Sequence, residues 1–136
     1  MFLIDPMSRV PIYEQITSQT ETLLLCGALK AGDMMPSVRS LSVSLSVNPN
    51  TVQRAYTDLC QKGLLYSVPG KGCFVSGDAL DRLRLRNAAR LNDFTDTVRS
   101  LRLAGVERST LIERIESVYR EGGDGDASGR THHQAL

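Results

Sequence analysis

Hydrogen-bonding side chains are concentrated in one short stretch of this sequence. Between positions 48 and 54 it carries amide, hydroxyl and guanidinium groups, on Asn48, Asn50, Thr51, Gln53 and Arg54. A helix that displays such groups near its N-terminus suits the major groove of DNA, where base edges present donors and acceptors. The chemistry that this pattern predicts is recognition of a duplex rather than catalysis.

Two short helices that meet at a tight corner are predicted to position these side chains. Ser37 can cap the first helix, because its hydroxyl can accept from a free backbone N–H of the first turn. Leu41 and Leu45 are four residues apart and therefore lie on one face of that helix. Val47 follows as an apolar plug at the corner.

The second helix has a strong start signal and an apolar stripe. Asn48 is a favourable N-cap, and Pro49 occupies the first helical position, where its missing N–H costs nothing. The inward stripe consists of Val52, Ala55 and Leu59. The polar side chains of the helix are therefore left on its outer face, and the helix is predicted to end at Gly63.

A preceding helix and a following hairpin complete the first part of the chain. Residues 11–29 predict a helix whose apolar face consists of Ile12, Ile16, Leu23 and Leu24, with Gly32 in the turn after it. Residues 64–68 and 73–75 are rich in strand-forming types and flank a glycine-rich tip. The fold class predicted is mainly α with a small β-hairpin.

Four motifs occur in this order: PIYEQI at 11–16, PSVRSL at 36–41, VNPNTVQRAYTDL at 47–59 and GKGCFV at 70–75. Together they resemble the winged-helix domain of GntR-family bacterial transcription regulators, and most closely its YtrA-type members. The resemblance covers residues 9–77 in detail. It implies a winged helix-turn-helix and a sequence-specific regulator of the repressor type, which binds a palindromic DNA operator as a homodimer.

The resemblance also implies roles for individual residues. The predicted DNA-binding set is Arg39, Asn48, Asn50, Thr51, Gln53, Arg54, Gly70, Lys71 and Gly72. For Thr51, DNA contact and a share in the helix cap are equally supported. Gln53 and Arg54 are adjacent on a helix, so they cannot both face the duplex squarely. Tyr56 is expected to pack in the core rather than to stack on DNA.

Lys71 leaves two interpretations open. It can be an ordinary hairpin-tip lysine, or it can enter the minor groove or meet a phosphate. Gly70 and Gly72 let the backbone approach a duplex closely, which favours the second interpretation. A net charge of only +1 argues at first against nucleic acid, but the placement of Arg39, Arg54 and Lys71 matters more than the total.

The chain after residue 77 is arginine-rich and has no strand signals. Residues 78–121 predict a two-helix dimerisation region, in which the seam consists of Leu91, Phe94, Val98 and Leu101. A further short helix has an apolar face made by Leu111, Ile112, Ile115, Val118 and Tyr119. Neither helix can bury such a stripe alone, so a partner subunit is the expected cover. Residues 122–136 predict a flexible polar tail, in which His132 and His133 are expected to be inert.

Several other classes of function lack support in the sequence. No catalytic or phosphate-binding motif occurs, and no metal or other cofactor is predicted. The three cysteines form no C-x-x-C pair, and no segment resembles a membrane span or a signal peptide, so a cytoplasmic protein is expected. The competing hypothesis is a winged-helix module for protein interaction or non-specific DNA architecture. The sequence assigns no small-molecule effector.

Overall fold

A computed structural model describes residues 2–121; the predicted tail with His132 and His133 lies outside them. The elements in chain order are α1 Ile12–Leu25, α2 Val38–Leu45, α3 Pro49–Gln61, β1 Leu65–Val68, β2 Gly72–Val75, α4 Ala79–Leu103 and α5 Arg108–Glu121. Three helices followed by an antiparallel two-stranded sheet form the winged helix-turn-helix that the sequence predicts. None of the helices within residues 2–121 is long and apolar enough to span a membrane.

Helix α1 is shorter than the sequence predicts. It begins after Pro11 and ends at Leu25, whereas the expected end was residue 29. Gly27 has φ +83° and reverses the chain there, and the Cys26 N–H caps the helix by donating to the Thr22 carbonyl. Leu29 still reaches the core, because its N–H donates back to the Leu23 carbonyl over 3.0 Å.

The corner between α2 and α3 uses both caps that the sequence predicts. The Ser37 hydroxyl accepts from the Ser40 N–H at 3.0 Å, and the Asn48 Oδ1 accepts from the Asn50 N–H at 2.8 Å. Between them Ser46 ends α2 in the left-handed conformation, with φ 56°. Val47 is half-buried and packs on the core, as its predicted role as a plug requires.

The hairpin has a tight tip and an unforeseen third segment. Pro69 and Gly70 occupy the centre of a turn closed by the Lys71 N–H on the Val68 carbonyl at 2.9 Å, and Gly70 has φ +77°. On the other side of β2, the Met35 N–H donates to the Cys73 carbonyl at 2.8 Å and Met34 bridges to Phe74. This backbone pairing ties the approach to α2 to the wing.

The core of the winged helix lies between α1, α3 and the hairpin. The five residues predicted to form it, Ile16, Leu24, Leu41, Val52 and Leu59, are all buried. Phe2 joins them, so the segment before α1 belongs to this unit. The side-chain amides of Gln15 and Gln19 hold that segment by bonding the backbone of Asp5 and Leu3.

Two compact units divide the chain between Ala88 and Ala89, within α4. The first unit therefore includes the opening turns of α4, where Ala79 and Leu83 are buried. In residues 89–121, Leu91 and Phe94 are about half exposed, at 52% and 47%, whereas Val98 and Leu101 are half-buried. The division of function between a DNA-binding domain at residues 9–77 and a dimerisation region at residues 78–121 remains a prediction.

Candidate nucleic-acid interface

The outer face of α3 presents the polar groups that the sequence singles out. Asn50, Gln53 and Arg54 are exposed, while Val52 and Ala55 are completely buried. The apolar stripe thus fixes the rotation of the helix, because any other rotation would expose that stripe to water. The amide and guanidinium groups consequently project away from the core.

The first turn of α3 divides its residues between capping and the surface. Asn48 uses its side-chain oxygen for the cap, and within residues 2–121 its amide nitrogen has no protein partner. The side-chain cap bond is made by Asn48 and not by Thr51, and the DNA contact of Thr51 stays a prediction. Thr51 is half-buried beside Asn50, and its hydroxyl is bonded to no other residue of the described chain.

Arg54 is held by an aromatic ring of another helix. Its guanidinium carbon lies 3.8 Å from the centroid of the Tyr13 ring, at the start of α1. The Tyr13 hydroxyl donates to the Glu14 carboxylate at 3.2 Å. Tyr13 and Arg54 line an open hollow of about 440 Å³ together with Asn50 and Thr51. Four polar or aromatic groups of two helices are therefore gathered at one surface.

Gln53 stands at the edge of a groove between α3 and the wing. This groove has a volume of about 560 Å³, and its lining includes Ser37, Gln53, Tyr56, Cys60, Gly72 and Cys73. The Gln53 Nε2 donates to the Thr57 Oγ1 at 3.2 Å, so the amide is partly engaged along its own helix. The groove places one predicted contact of α3 and one of the wing along the same concave surface.

Two groups that line the groove, the buried Tyr56 hydroxyl and the half-buried Cys73 thiol, stay protonated at neutral pH. Burial, together with the neighbouring Cys73, raises the pKa of Tyr56 above its ordinary value, and its hydroxyl donates to the Pro36 carbonyl at 2.7 Å. Burial also raises the pKa of Cys73 to about 12, and the adjacent Cys60 thiol adds to this effect. A thiol of such pKa is a weak nucleophile at neutral pH. Tyr56 is a core residue, as predicted.

The other predicted cations are exposed and form no ion pair with any residue that the structure describes. Arg39 lies in the first turn of α2, and Lys71 lies at the tip of the hairpin between Gly70 and Gly72. Within residues 2–121, neither Arg39, Arg54 nor Lys71 is paired with a carboxylate. Their charges are therefore available to an anionic ligand. The structure gathers Asn50, Thr51 and Arg54, and leaves Arg39 and Lys71 on separate elements.

The sequence analysis missed Tyr13 at this surface. It appeared there only as one letter of the PIYEQI motif, with no role assigned. The contact joins the start of α1 to α3, two elements far apart along the chain, and periodicity within either helix does not reveal it. The one signal for Tyr13 in the sequence is its place in the PIYEQI motif. It follows Ile12, which is half-buried in the first turn of α1.

The winged-helix part of the chain matches a known protein family. Residues 12–75 match the family model described as bacterial regulatory proteins, gntR family. The HTH-type transcriptional repressor YtrA of Bacillus subtilis (strain 168) is 37% identical over 119 residues, which are 87% of this chain and 92% of YtrA. The chain belongs to the GntR family of bacterial regulatory proteins.

Solved structures of GntR-family proteins agree with this assignment. YtrA from Sulfolobus acidocaldarius, a GntR-family transcription factor, is 34% identical with a TM-score of 0.59, over 71% of this chain and 97% of that one. The AraR DNA-binding domain in complex with operator ORX1 is 30% identical with a TM-score of 0.50, over 55% of this chain and 93% of that one. The winged-helix fold and the resemblance to YtrA-type members are confirmed. The family consists of transcription regulators rather than enzymes.

Proposed function

We propose that this GntR-family protein is a homodimeric repressor that binds a palindromic DNA operator. The observation that carries the proposal is the outer face of α3, where exposed Asn50, Gln53 and Arg54 stand opposite a fully buried apolar stripe. The structure of the AraR DNA-binding domain, which has a similar fold, is a complex with operator ORX1, and this supports operator binding as the function of the present chain.

The chemistry of the surface matches the major groove. An amide such as that of Asn50 can pair with both edge atoms of adenine, and a guanidinium can pair with guanine O6 and N7. Arg39 and Lys71 flank α3 on α2 and on the wing, and both are exposed and unpaired within residues 2–121. They are suited to phosphates or to a base at the border of the site. We assign the nine residues predicted from the sequence to this interface.

Selection of duplexes from a random pool, followed by gel shifts at fixed salt, tests the proposal. The expected result is a palindrome whose half-sites are centred about one helical turn apart, roughly 34–36 Å. Equal affinity for every duplex would contradict the proposal and favour a non-specific architectural protein. An absence of DNA binding at low salt would leave the protein-interaction hypothesis in its place.

Two substitutions distinguish base reading from phosphate contact. Arg39→Ala is expected to relax specificity at one position and to cost about 1–3 kcal/mol if the arginine reads a guanine. Lys71→Ala is expected to weaken all duplexes alike and to flatten the dependence of affinity on salt. Lys30→Ala, which removes an exposed lysine outside the predicted set, is the matched control. If Arg39→Ala and Lys71→Ala both behave like this control, neither residue belongs to the interface.

A second copy of the chain is the partner we assign to residues 89–121. Leu91 and Phe94 of α4 and Ile112 and Ile115 of α5 are each 40% exposed or more, although they recur on the apolar face of their helices. Fully burying one such side chain contributes about 1.5–3 kcal/mol, before the cost of association is subtracted. Two copies would cover the same stripe on each other and would present two recognition helices to the two halves of a palindrome.

Phe94→Asp tests this assignment, because it places a charge in the stripe. The expected result in sedimentation is a monomer that binds the operator much more weakly, with unchanged helicity in circular dichroism. Asn92→Asp adds a charge to the opposite face of α4 and should remain dimeric. A wild-type protein that sediments as a monomer at micromolar concentration would refute the dimer.

A further inference from the structure

Arg54 is the one cation of the predicted interface that is held by a ring rather than left to rotate. Its guanidinium carbon lies 3.8 Å from the centroid of Tyr13. At this distance the guanidinium lies over the ring face, which carries the negative part of the aromatic quadrupole. Within residues 2–121, Arg39 and Lys71 have no comparable contact.

A guanidinium that lies flat over a ring meets it with its face and keeps its edge available. The hydrogen-bond donors of arginine point outward in the plane of the group, so they are not consumed by a ring above that plane. The carboxylate of Asp58 lines a hollow with Arg54 and pairs with Lys62 at 3.0 Å, and within residues 2–121 it makes no ion pair with Arg54. Arg54 therefore combines a restricted side chain with an unused set of donors.

Restriction of this kind favours binding. A free arginine side chain loses rotational freedom when it is fixed on a ligand, and a side chain that is already fixed loses less. The ring also belongs to α1, which packs against α3, so it holds Arg54 from outside the recognition helix. The neighbouring Asn50 and Thr51 line the same hollow and would meet the same part of a ligand.

We propose that Tyr13 is a positioning residue that holds the Arg54 guanidinium in the orientation in which it meets DNA. This inference rests on the proposed function, since Arg54 must be a DNA contact for its orientation to matter. It gives the tyrosine of the PIYEQI motif a role in recognition, although α1 lies outside the helix-turn-helix.

Two substitutions of Tyr13 separate its ring from its hydroxyl. Tyr13→Phe keeps the stack and removes only the hydrogen bond to Glu14, so operator affinity should stay close to that of the wild type. Tyr13→Leu removes the ring, and affinity should fall about two- to fivefold, the range of an exposed cation–π contact. Equal losses in the two variants would overturn the proposal in favour of a contact by the hydroxyl. No loss in Tyr13→Leu would overturn it as well.

A double mutant separates positioning from a general effect on the fold. In an Arg54→Gln background, Tyr13→Leu should cause no further loss of affinity, because no guanidinium remains to be held. A full additional loss in that background would show that Tyr13 acts independently of Arg54 and would overturn the proposal. Urea unfolding of the wild type, the two single mutants Tyr13→Leu and Arg54→Gln, and the double mutant shows whether any of these substitutions also changes stability.

A measurement without DNA keeps this inference distinct from the proposed function. In the nuclear magnetic resonance spectrum of the free protein, the Arg54 Hε should be shifted by the ring current in the wild type and in Tyr13→Phe, but not in Tyr13→Leu. A wild type without this shift refutes the stack, whatever the DNA assays show. A wild type with the shift but no specific DNA binding refutes the proposed function, and the positioning role with it.

Discussion

Tyr56→Phe is expected to destabilise the winged helix without altering its DNA-facing surface. The Tyr56 ring is only 3% exposed, and its hydroxyl donates to the Pro36 carbonyl at 2.7 Å. Pro36 immediately precedes the Ser37 cap of α2, so this bond links the middle of α3 to the start of α2. Phenylalanine fills the same space and removes only the donor.

The magnitude follows from what happens to the two partners. A net intramolecular hydrogen bond contributes about 0.5–1.5 kcal/mol, and an abandoned buried acceptor costs about 1–3 kcal/mol. Pro36 is half-buried and lines the open groove, so water can reach its carbonyl and reduce that cost. We therefore expect the free energy of unfolding to fall by about 1–2 kcal/mol. For a domain of this size, each kcal/mol lowers Tm by about 4–8 °C.

Urea unfolding followed by circular dichroism measures this change, with the slope against urea expected to remain constant. Tyr66→Phe is the matched control, because Tyr66 is exposed and phenylalanine keeps its ring. That ring stacks on Phe74, with the two ring centroids 5.7 Å apart. That variant should stay within about 0.5 kcal/mol of the wild type. If Tyr56→Phe were as stable as Tyr66→Phe, the link between α3 and α2 would contribute nothing and the reasoning would be refuted.

Three further outcomes are expected. Asn48→Ala removes the cap of α3 and should lower the free energy of unfolding by about 1 kcal/mol in urea titrations; an unchanged midpoint would contradict this. Glu21→Gln breaks the ion pairs that join α1 to Lys62 and Arg86. The free energy of unfolding should fall by about 1–2 kcal/mol in the same assay, and an unchanged value would show that these pairs contribute nothing. Folding raises the pKa of the Cys73 thiol from 9.0 to about 12. The unfolded chain therefore loses the thiol proton at a lower pH than the folded protein does. Stability should therefore fall as pH rises from 9 towards 12, and less steeply in Cys73→Ala; equal slopes would refute the assignment.

The parts of the fold that the sequence predicts correctly are those with local signals. The start of α3 is encoded by the adjacent residues Asn48 and Pro49, and the Ser37 cap acts within three residues of its own position. The tip of the wing is likewise encoded by Pro69 and Gly70. Each of these signals works through bonds that the nearby backbone itself supplies, so no knowledge of tertiary contacts is needed.

The features of the fold that the sequence does not predict depend on residues far apart along the chain, or on a choice between similar local signals. The end of α1 could be placed at Gly27 or at Gly32, since both adopt positive φ, and the choice depends on packing. The pairing of Met35 with Cys73 adds a backbone bridge to β2, but a single bridge is too short to leave an alternating pattern. The contact between Tyr13 and Arg54 joins two helices and leaves no periodic trace.

Under the proposed function, the contact between Tyr13 and Arg54 makes α1 a second determinant of the interface. The N-terminal turn of α1 holds Arg54 through Tyr13, whereas its last two turns carry Glu21, which binds Lys62 and Arg86. The first contact joins half-buried Tyr13 to exposed Arg54 at the proposed DNA surface, while the second is half-buried and contains none of the predicted DNA-binding residues. Substitutions along one helix should therefore separate into two groups: those near Tyr13 alter affinity with little change in stability, and those near Glu21 alter stability with little change in affinity. A helix that served only as a scaffold would not produce this separation.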